Sequence, residues 1–270
     1  MKEIMTEKKR AFEITLDIDA SPDEVWKALT DAKELTRWFP LQAQVKPGKG
    51  GSVRWTWGDS KDWPSRIDAW EPGKLLRLVQ DDYRPSEDVE RSTVVMEFRL
   101  ETRAGKTRLY FVHSGFGSGA SWDNEIDSIS AGWPFELRSL RLYLQRHKGR
   151  DRAVARAYAT LAAGADVWTR LTGPEGFRLS PAEPTEGGTF EMTAPTGERL
   201  TGTVDMAVPG RLVSGIVKEM DDAVLRVSTR CDGSGASVWL ASYAGDEERV
   251  RKFGNASAAM LERLFPPKRP

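Results

Sequence analysis

The chain has 270 residues, with Lys+Arg 40 against Asp+Glu 40, 39% hydrophobic and 30% charged residues. That length suits about two domains, and the apolar fraction suits packed cores, not a disordered chain. The charge balance holds in each half and argues against general nucleic-acid binding by phosphate neutralisation, while a lone cysteine, Cys231, provides neither an internal disulfide nor a cysteine-rich zinc site.

The start, MKEIMTEKKR, carries charges with no hydrophobic stretch behind them, so no secretory signal is expected. From Phe12 to Asp19 apolar and polar residues alternate, the pattern of a half-buried strand. Ser21-Pro22-Asp23-Glu24 has the make-up of a helix start, with a capping serine, a proline in the first turn and acids at the positive end of the dipole. Asp31 to Trp38 reads as a second short helix ended by Pro40. Gly50-Gly51 opens a strand whose Val53, Trp55 and Trp57 share a face, and Ser65–Trp70 is the next, closed by Glu71-Pro72-Gly73. Leu75–Val79, Thr93–Leu100 and Thr107–His113 follow with the same alternation. Gly and Ser at 118–121 read as a flexible lid loop. From Glu125 to Arg146 apolar residues fall at helical spacing, with Pro134 either kinking that helix or opening it. The order is strand, two short helices, about six strands, long helix, and a sheet with one apolar face needs that helix as its cover. No apolar run approaches the ~20 residues that span a bilayer, so a cytoplasmic chain without a membrane span is expected.

The pattern then recurs. Asp23-Glu-Val-Trp matches Ala165-Asp-Val-Trp168, and Gly50-Gly-Ser-Val matches Gly187-Gly-Thr-Phe190. Ile67-Asp-Ala-Trp-Glu-Pro-Gly-Lys-Leu75 matches Val204-Asp-Met-Ala-Val-Pro-Gly-Arg-Leu212, and Gly105–Phe111 matches Gly235–Ala241. Asp246–Phe265 supplies a second closing helix. Ordered self-similarity of this kind indicates duplication. We expect an α+β chain of two helix-grip domains, 1–150 and a shorter, diverged 151–270, each a curved antiparallel sheet wrapped around a long C-terminal helix. The second copy's first strand falls within Val154–Leu161, a stretch that could instead be helical.

The opening strand with Ala20–Thr30, Leu35-Thr-Arg-Trp-Phe39, Gly50-Gly51, the Asp68–Leu75 turn and Thr107–Phe116 followed by Gly132-Trp133 carry a resemblance. Over roughly 11–146 the chain resembles the SRPBCC (START/birch-pollen-allergen-like) helix-grip superfamily. Within it, the chain is most similar to proteins related to the C-terminal domain of activators of the 90-kDa heat-shock chaperone ATPase. The resemblance implies a sheet gripping a helix around an apolar cavity. It also implies a hydrophobic small molecule or lipid as partner, with a chaperone as a possible protein partner.

On that picture the ligand-binding candidates are Trp38, Val53, Trp55, Trp57, Leu78, Gln80, Met96, Phe98, Leu109, Phe111, His113, Phe116 and Trp133. The apolar ones serve equally as ordinary core. No catalytic residue is assigned; His113, expected at the cavity mouth, comes nearest. No metal site, cofactor or nucleic-acid partner is expected. His147, past the helix end, is expected to be solvated. The leading function is binding of a hydrophobic or aromatic small molecule without assigned catalysis. The alternatives are a co-chaperone-like interaction module and a cyclase, aromatase or hydrolase using His113. The assembly expected is a monomer with pseudo-dimeric domains or a weak homodimer.

Overall fold

The computed structural model describes residues 10–58, 63–161, 166–230 and 233–266, so Cys231 and Ala165 lie outside the described residues. Two compact units divide the chain at Gly149 and Arg150. The first begins with β1 (Arg10–Ile18), α1 (Pro22–Thr30) and α2 (Ala32–Thr36). Six strands follow: β2 (Gln42–Lys46), β3 (Ser52–Thr56), β4 (Trp63–Glu71), β5 (Leu75–Tyr83), β6 (Ser92–Arg103) and β7 (Lys106–Phe116). The unit closes with α3 (Ala120–Leu142) and one π-helical turn, Tyr143–His147. Its sheet runs β1-β7-β6-β5-β4-β3-β2, antiparallel throughout.

Local chemistry sets these boundaries. α1 begins with a capping box, in which Ser21 receives the Glu24 N–H and Glu24 reaches back to the Ser21 N–H at 2.8 Å. Lys148 and these Ser21 bonds hold the Glu24 carboxyl down at about 2. α3 starts five residues before the expected Glu125, taking in Ser121, so the expected lid loop is helix from Ala120 on. Pro134 lies inside it, leaving the Ser130 carbonyl without its usual intrahelical donor. The helix end is anchored by polar contacts. Tyr143 donates to the buried Glu34, which also takes Arg37 at 2.9 Å, and the Tyr143 hydroxyl accepts the Gly149 N–H at 2.9 Å. His147 is correspondingly buried, at 2% exposure, and not solvated, because the π turn rotates it inward from where an α-helix would leave it.

The second unit comprises β8 (Ala153–Thr160), α4 (Val167–Thr172), β9 (Thr189–Thr193), β10 (Arg199–Val208), β11 (Leu212–Val217), β12 (Ala223–Thr229), β13 (Gly235–Ser242) and α5 (Glu247–Leu264). Its sheet order, β8-β13-β12-β11-β10-β9, is that of the first unit without a counterpart of β2. The duplication extends to single hydrogen bonds. Gly50 N–H donates to the Ile67 carbonyl and Gly187 N–H to the Val204 carbonyl, both at 2.8 Å. A β-bulge interrupts β4 between Ile67 and Ala69, and another interrupts β10 between Val204 and Met206. Gly73 and Gly210 close the following turns at φ +69 and +68. Both units are therefore helix grips, each an antiparallel sheet whose apolar face packs on its closing helix.

Candidate functional site

Alternation along β3 to β7 sends one set of side chains to the face that α3 covers. Register places them in rows. Val53 pairs with Ser65 and Trp55 with Trp63 across β3 and β4. Arg66 pairs with Val79, which sets Ser65 beside Gln80 across β4 and β5, and Gln80 pairs with Val94. One row further, Ile67, Leu78, Met96 and His113 lie side by side.

Toward the far end of α3 this face is solid. Trp133 packs on Phe111 at 4.2 Å, Phe39 at 5.2 Å and Phe98 at 5.9 Å between ring centroids. Trp38 stacks on Phe39 and donates its N–H to the Ala28 carbonyl at 2.9 Å. Val53, Leu78, Met96 and Leu109 are buried in the same apolar layer. Thus Trp38, Phe98, Phe111 and Trp133 are brought together, but chiefly against one another.

At the other end the arrangement changes. Trp57, Trp63, Tyr83 and Phe116 stand at the ends of neighbouring strands, and Trp122 reaches over from α3. With Phe39, Trp133 and His113 they form a closed circuit of eight rings, each within 6.5 Å of the next. Such separations are those of edge-to-face and offset aromatic pairs. Tyr83 donates to Glu125 on α3; burial and that carboxylate push its hydroxyl pKa up. Trp63, Tyr83, Trp122 and Ser65 did not figure among the sequence candidates. Strand alternation could have supplied Ser65, but Trp122 needed the true start of α3.

Polar side chains lie in three successive rows of this face, Trp55 in the row of Trp63, Ser65 and Gln80 in the next and His113 in the one after. Trp55, Ser65, Gln80 and His113 are 4%, 3%, 6% and 3% exposed. Trp55 Nε1, Ser65 Oγ, Gln80 Oε1 and His113 Nε2 are all buried without a hydrogen-bond partner. Trp133 Nε1 donates to His113 Nδ1 at 3.1 Å. Nδ1 therefore bears no proton, and the neutral ring carries its hydrogen on Nε2, facing no acceptor. Burial holds the imidazole pKa at about 3, against an ordinary 6.5.

That shift has a stability consequence. Between pH 6.5 and 3 the unfolded chain binds a proton that the folded site refuses, so stability falls on acidification. From pH 7 to 5 the loss assigned to this group is about 2 kcal/mol. His113→Gln will remove that part of the pH dependence. Urea midpoints followed by tryptophan fluorescence report mainly on this unit, which holds eight of the ten tryptophans. Equal pH slopes for the two proteins would mean that His113 titrates normally.

The second unit treats the equivalent positions differently. At the 137-residue offset of the repeat, Trp55, Ser65 and Gln80 correspond to Met192, Gly202 and Val217. Gly202 pairs with Val217, as Ser65 stands beside Gln80. There the ring of Phe190 lies over Gly202 and Gly215. An open surface groove runs instead between β8 and α5, lined by Ala155, Arg156, Glu247, Arg251 and Asn255. Among the described residues no helix is long and apolar enough to cross a membrane.

Comparison with known proteins follows this division. Residues 19–145 match the family model described as "Activator of Hsp90 ATPase homolog 1-like protein". No curated protein matches the chain. Among solved structures it is similar to protein MLL2253 from Mesorhizobium loti, at 22% identity and TM-score 0.46, covering 52% of this chain and 99% of that one. The Aha1 dimer from Colwellia psychrerythraea is similar at 21% identity and TM-score 0.43, covering 52% and 99%. The di-domain ARO/CYC BexL from the BE-7585A biosynthetic pathway is similar over both units, at 15% identity and TM-score 0.46, covering 97% and 100%. Over residues 19–145, the chain is similar to the Activator of Hsp90 ATPase homolog 1-like proteins.

Proposed function

We propose that the first unit binds an apolar or aromatic small molecule between its sheet and α3, entering through the ring-lined end. The observation that carries this reading is that four polar atoms, on Trp55, Ser65, Gln80 and His113, are buried without partners on the sheet face that α3 covers. Leaving one such group unsatisfied costs about 1–3 kcal/mol. Four together would take up a large share of the roughly 5–15 kcal/mol by which a domain is stable. A fold that retains them has a use for them, and a bound molecule that meets them removes the penalty. At the same offset the second unit holds Met192, Gly202 and Val217, which carry no side-chain hydrogen-bonding groups of this kind, although Ser214 Oγ and Ser257 Oγ are buried without partners elsewhere in it.

The family description supplies a rival, a module that acts on a chaperone. That reading places no demand on the concave face and leaves the orphaned groups unexplained. An acid–base role for His113 fares worse, because the ring is held neutral and its Nδ1 is already engaged by Trp133.

The test is native mass spectrometry of the purified full chain, with displacement of the dye ANS as a second readout. A co-purified molecule, or a saturable ANS site lost in Trp55→Ala, is the expected result. A chain that carries no ligand and binds no ANS in the first unit would end the reading, and ordered water would then be the partner of the four atoms.

A further inference from the structure

We infer that the first half of α3, residues 120–131, is a hinged flap that opens at Gly132–Pro134 while the second half stays fixed in the core; its role as the way in rests on the small-molecule reading above. The sequence makes this half a weak helix. It carries Asp123, Glu125 and Asp127 and no basic residue, and the like charges at 123 and 127 oppose each other one turn apart. Asn124, Ser128 and Ser130 are poor helix formers, as are the β-branched Ile126 and Ile129. Gly119, at the N-cap, makes no side-chain bond to the first turn.

Packing divides the helix at the same place. Between 120 and 131 only Trp122 is buried, whereas Trp133, Phe135, Leu137, Leu140 and Leu142 are all buried after it. Trp122 belongs to a small cluster with Val94 and Phe116, ringed by the half-buried Tyr83, Val89, Ile126 and Ile129, that does not contain Trp133. The joint between the halves is built to bend. Pro134 denies the Ser130 carbonyl its donor and so removes one of the hydrogen bonds that tie the halves together. Gly132, two residues before it, has open space where a Cβ would stand.

Few contacts hold the flap shut. The Trp122 indole lies against Gly117, where an added Cβ would come within 2.4 Å of its Nε1. Tyr83 on β5 donates to Glu125. Arg10 on β1 pairs with Asp123 and donates to the Gly117 carbonyl at 3.0 Å. Trp122 also stands in the circuit of rings between Tyr83 and Phe116. A molecule bound for the face behind that circuit needs one ring to move, and Trp122 is the ring that the weak half carries. Its departure leaves Trp133 set among Phe39, Phe98 and Phe111.

The experiment is amide hydrogen exchange of the full chain at pH 7, with stopped-flow binding of ANS beside it. Once released, the first half is too weak to stay helical alone. Amides at 124–131 are therefore expected to exchange at least tenfold faster than those at 137–142, which wait for global unfolding. Tyr83→Phe keeps the ring but removes a clasp, and raises exchange at 124–131 about tenfold. Pro134→Ala restores a bond across the joint and slows it severalfold. Leu140→Val, a mild core truncation, speeds exchange at 137–142 and leaves 124–131 unchanged, because the core stays intact when the flap opens. Tyr83→Phe and Arg10→Gln each speed ANS binding severalfold. If 124–131 and 137–142 exchange at one rate, or respond alike to Leu140→Val, α3 opens as one rod and there is no flap. If Pro134→Ala changes nothing, the hinge is not at this joint. If the flap opens but ANS binds at the parent's rate in both clasp variants, it is not the way in. If ANS does not bind at all, the binding reading ends and the gating role with it, while exchange alone decides the flap.

Discussion

Replacing Trp133 by alanine will destabilise the first unit by about 3–5 kcal/mol, the cost of emptying a large aromatic site in a packed core. Trp133 is 7% exposed and touches Phe39, Phe98, Phe111 and His113. It is also the joint between helix and sheet, one residue before Pro134, where α3 lacks a backbone donor. Collapse into the vacated space is opposed by rings already packed on the opposite side. Trp133→Phe separates packing from hydrogen bonding. It keeps most of the apolar contact and loses the N–H that His113 Nδ1 accepts, so its cost is about 1–3 kcal/mol. Urea denaturation of the full chain measures both. Indole added to the alanine variant is expected to bind the vacancy and recover part of the loss. Were the alanine variant as stable as the parent, Trp133 would not be part of a close-packed interior, and the solid half of the grip would be misdescribed.

That prediction concerns a residue the sequence marked through helical spacing, and much else was legible by the same means. The Ser21–Glu24 box, the inward face of β6 and the repeated turns at Gly73 and Gly210 each follow from a local rule: cap chemistry, period two, glycine at positive φ. β2 was not legible, because Gln42–Lys46 is an edge strand with exposed and half-buried positions and no strong apolar face. The start of α3 was hidden because Gly119 gives it no side-chain cap, so the segment read as loop until apolar spacing took hold. His147 was misjudged because a π turn shifts every following side chain, and no local signal announces one. The site was half legible. Gln80, Trp55 and His113 followed from alternation, whereas the ring circuit is a property of register across five strands and one helix. Trp63 and Tyr83 join it only because the strand ends align, and no single segment encodes that alignment.

The contrast between the two units leads to the other large expected effect. In the second unit, an added Cβ at Gly215 would lie 2.1 Å from Phe190 Cε1, and one at Gly202 would lie 2.8 Å from the same atom. Phe190 is 3% exposed, and its ring covers the two glycines where the first unit has Leu78 and Ser65. The two features are one adaptation: without side chains at 202 and 215 the sheet has a trough, and the ring fills it. Phe190→Ala will therefore cost about 3–5 kcal/mol. Gly215→Ala alone will cost about 1–3 kcal/mol, because the buried ring must move from a packed position. Combined, the pair will be less damaging than the sum, since the alanine methyl then enters space the ring has left. A double-mutant cycle by thermal denaturation will read a coupling of roughly 1–3 kcal/mol. Strict additivity would mean that the ring does not depend on the glycines. The trough at 202 and 215 would then be filled by something other than the Phe190 ring.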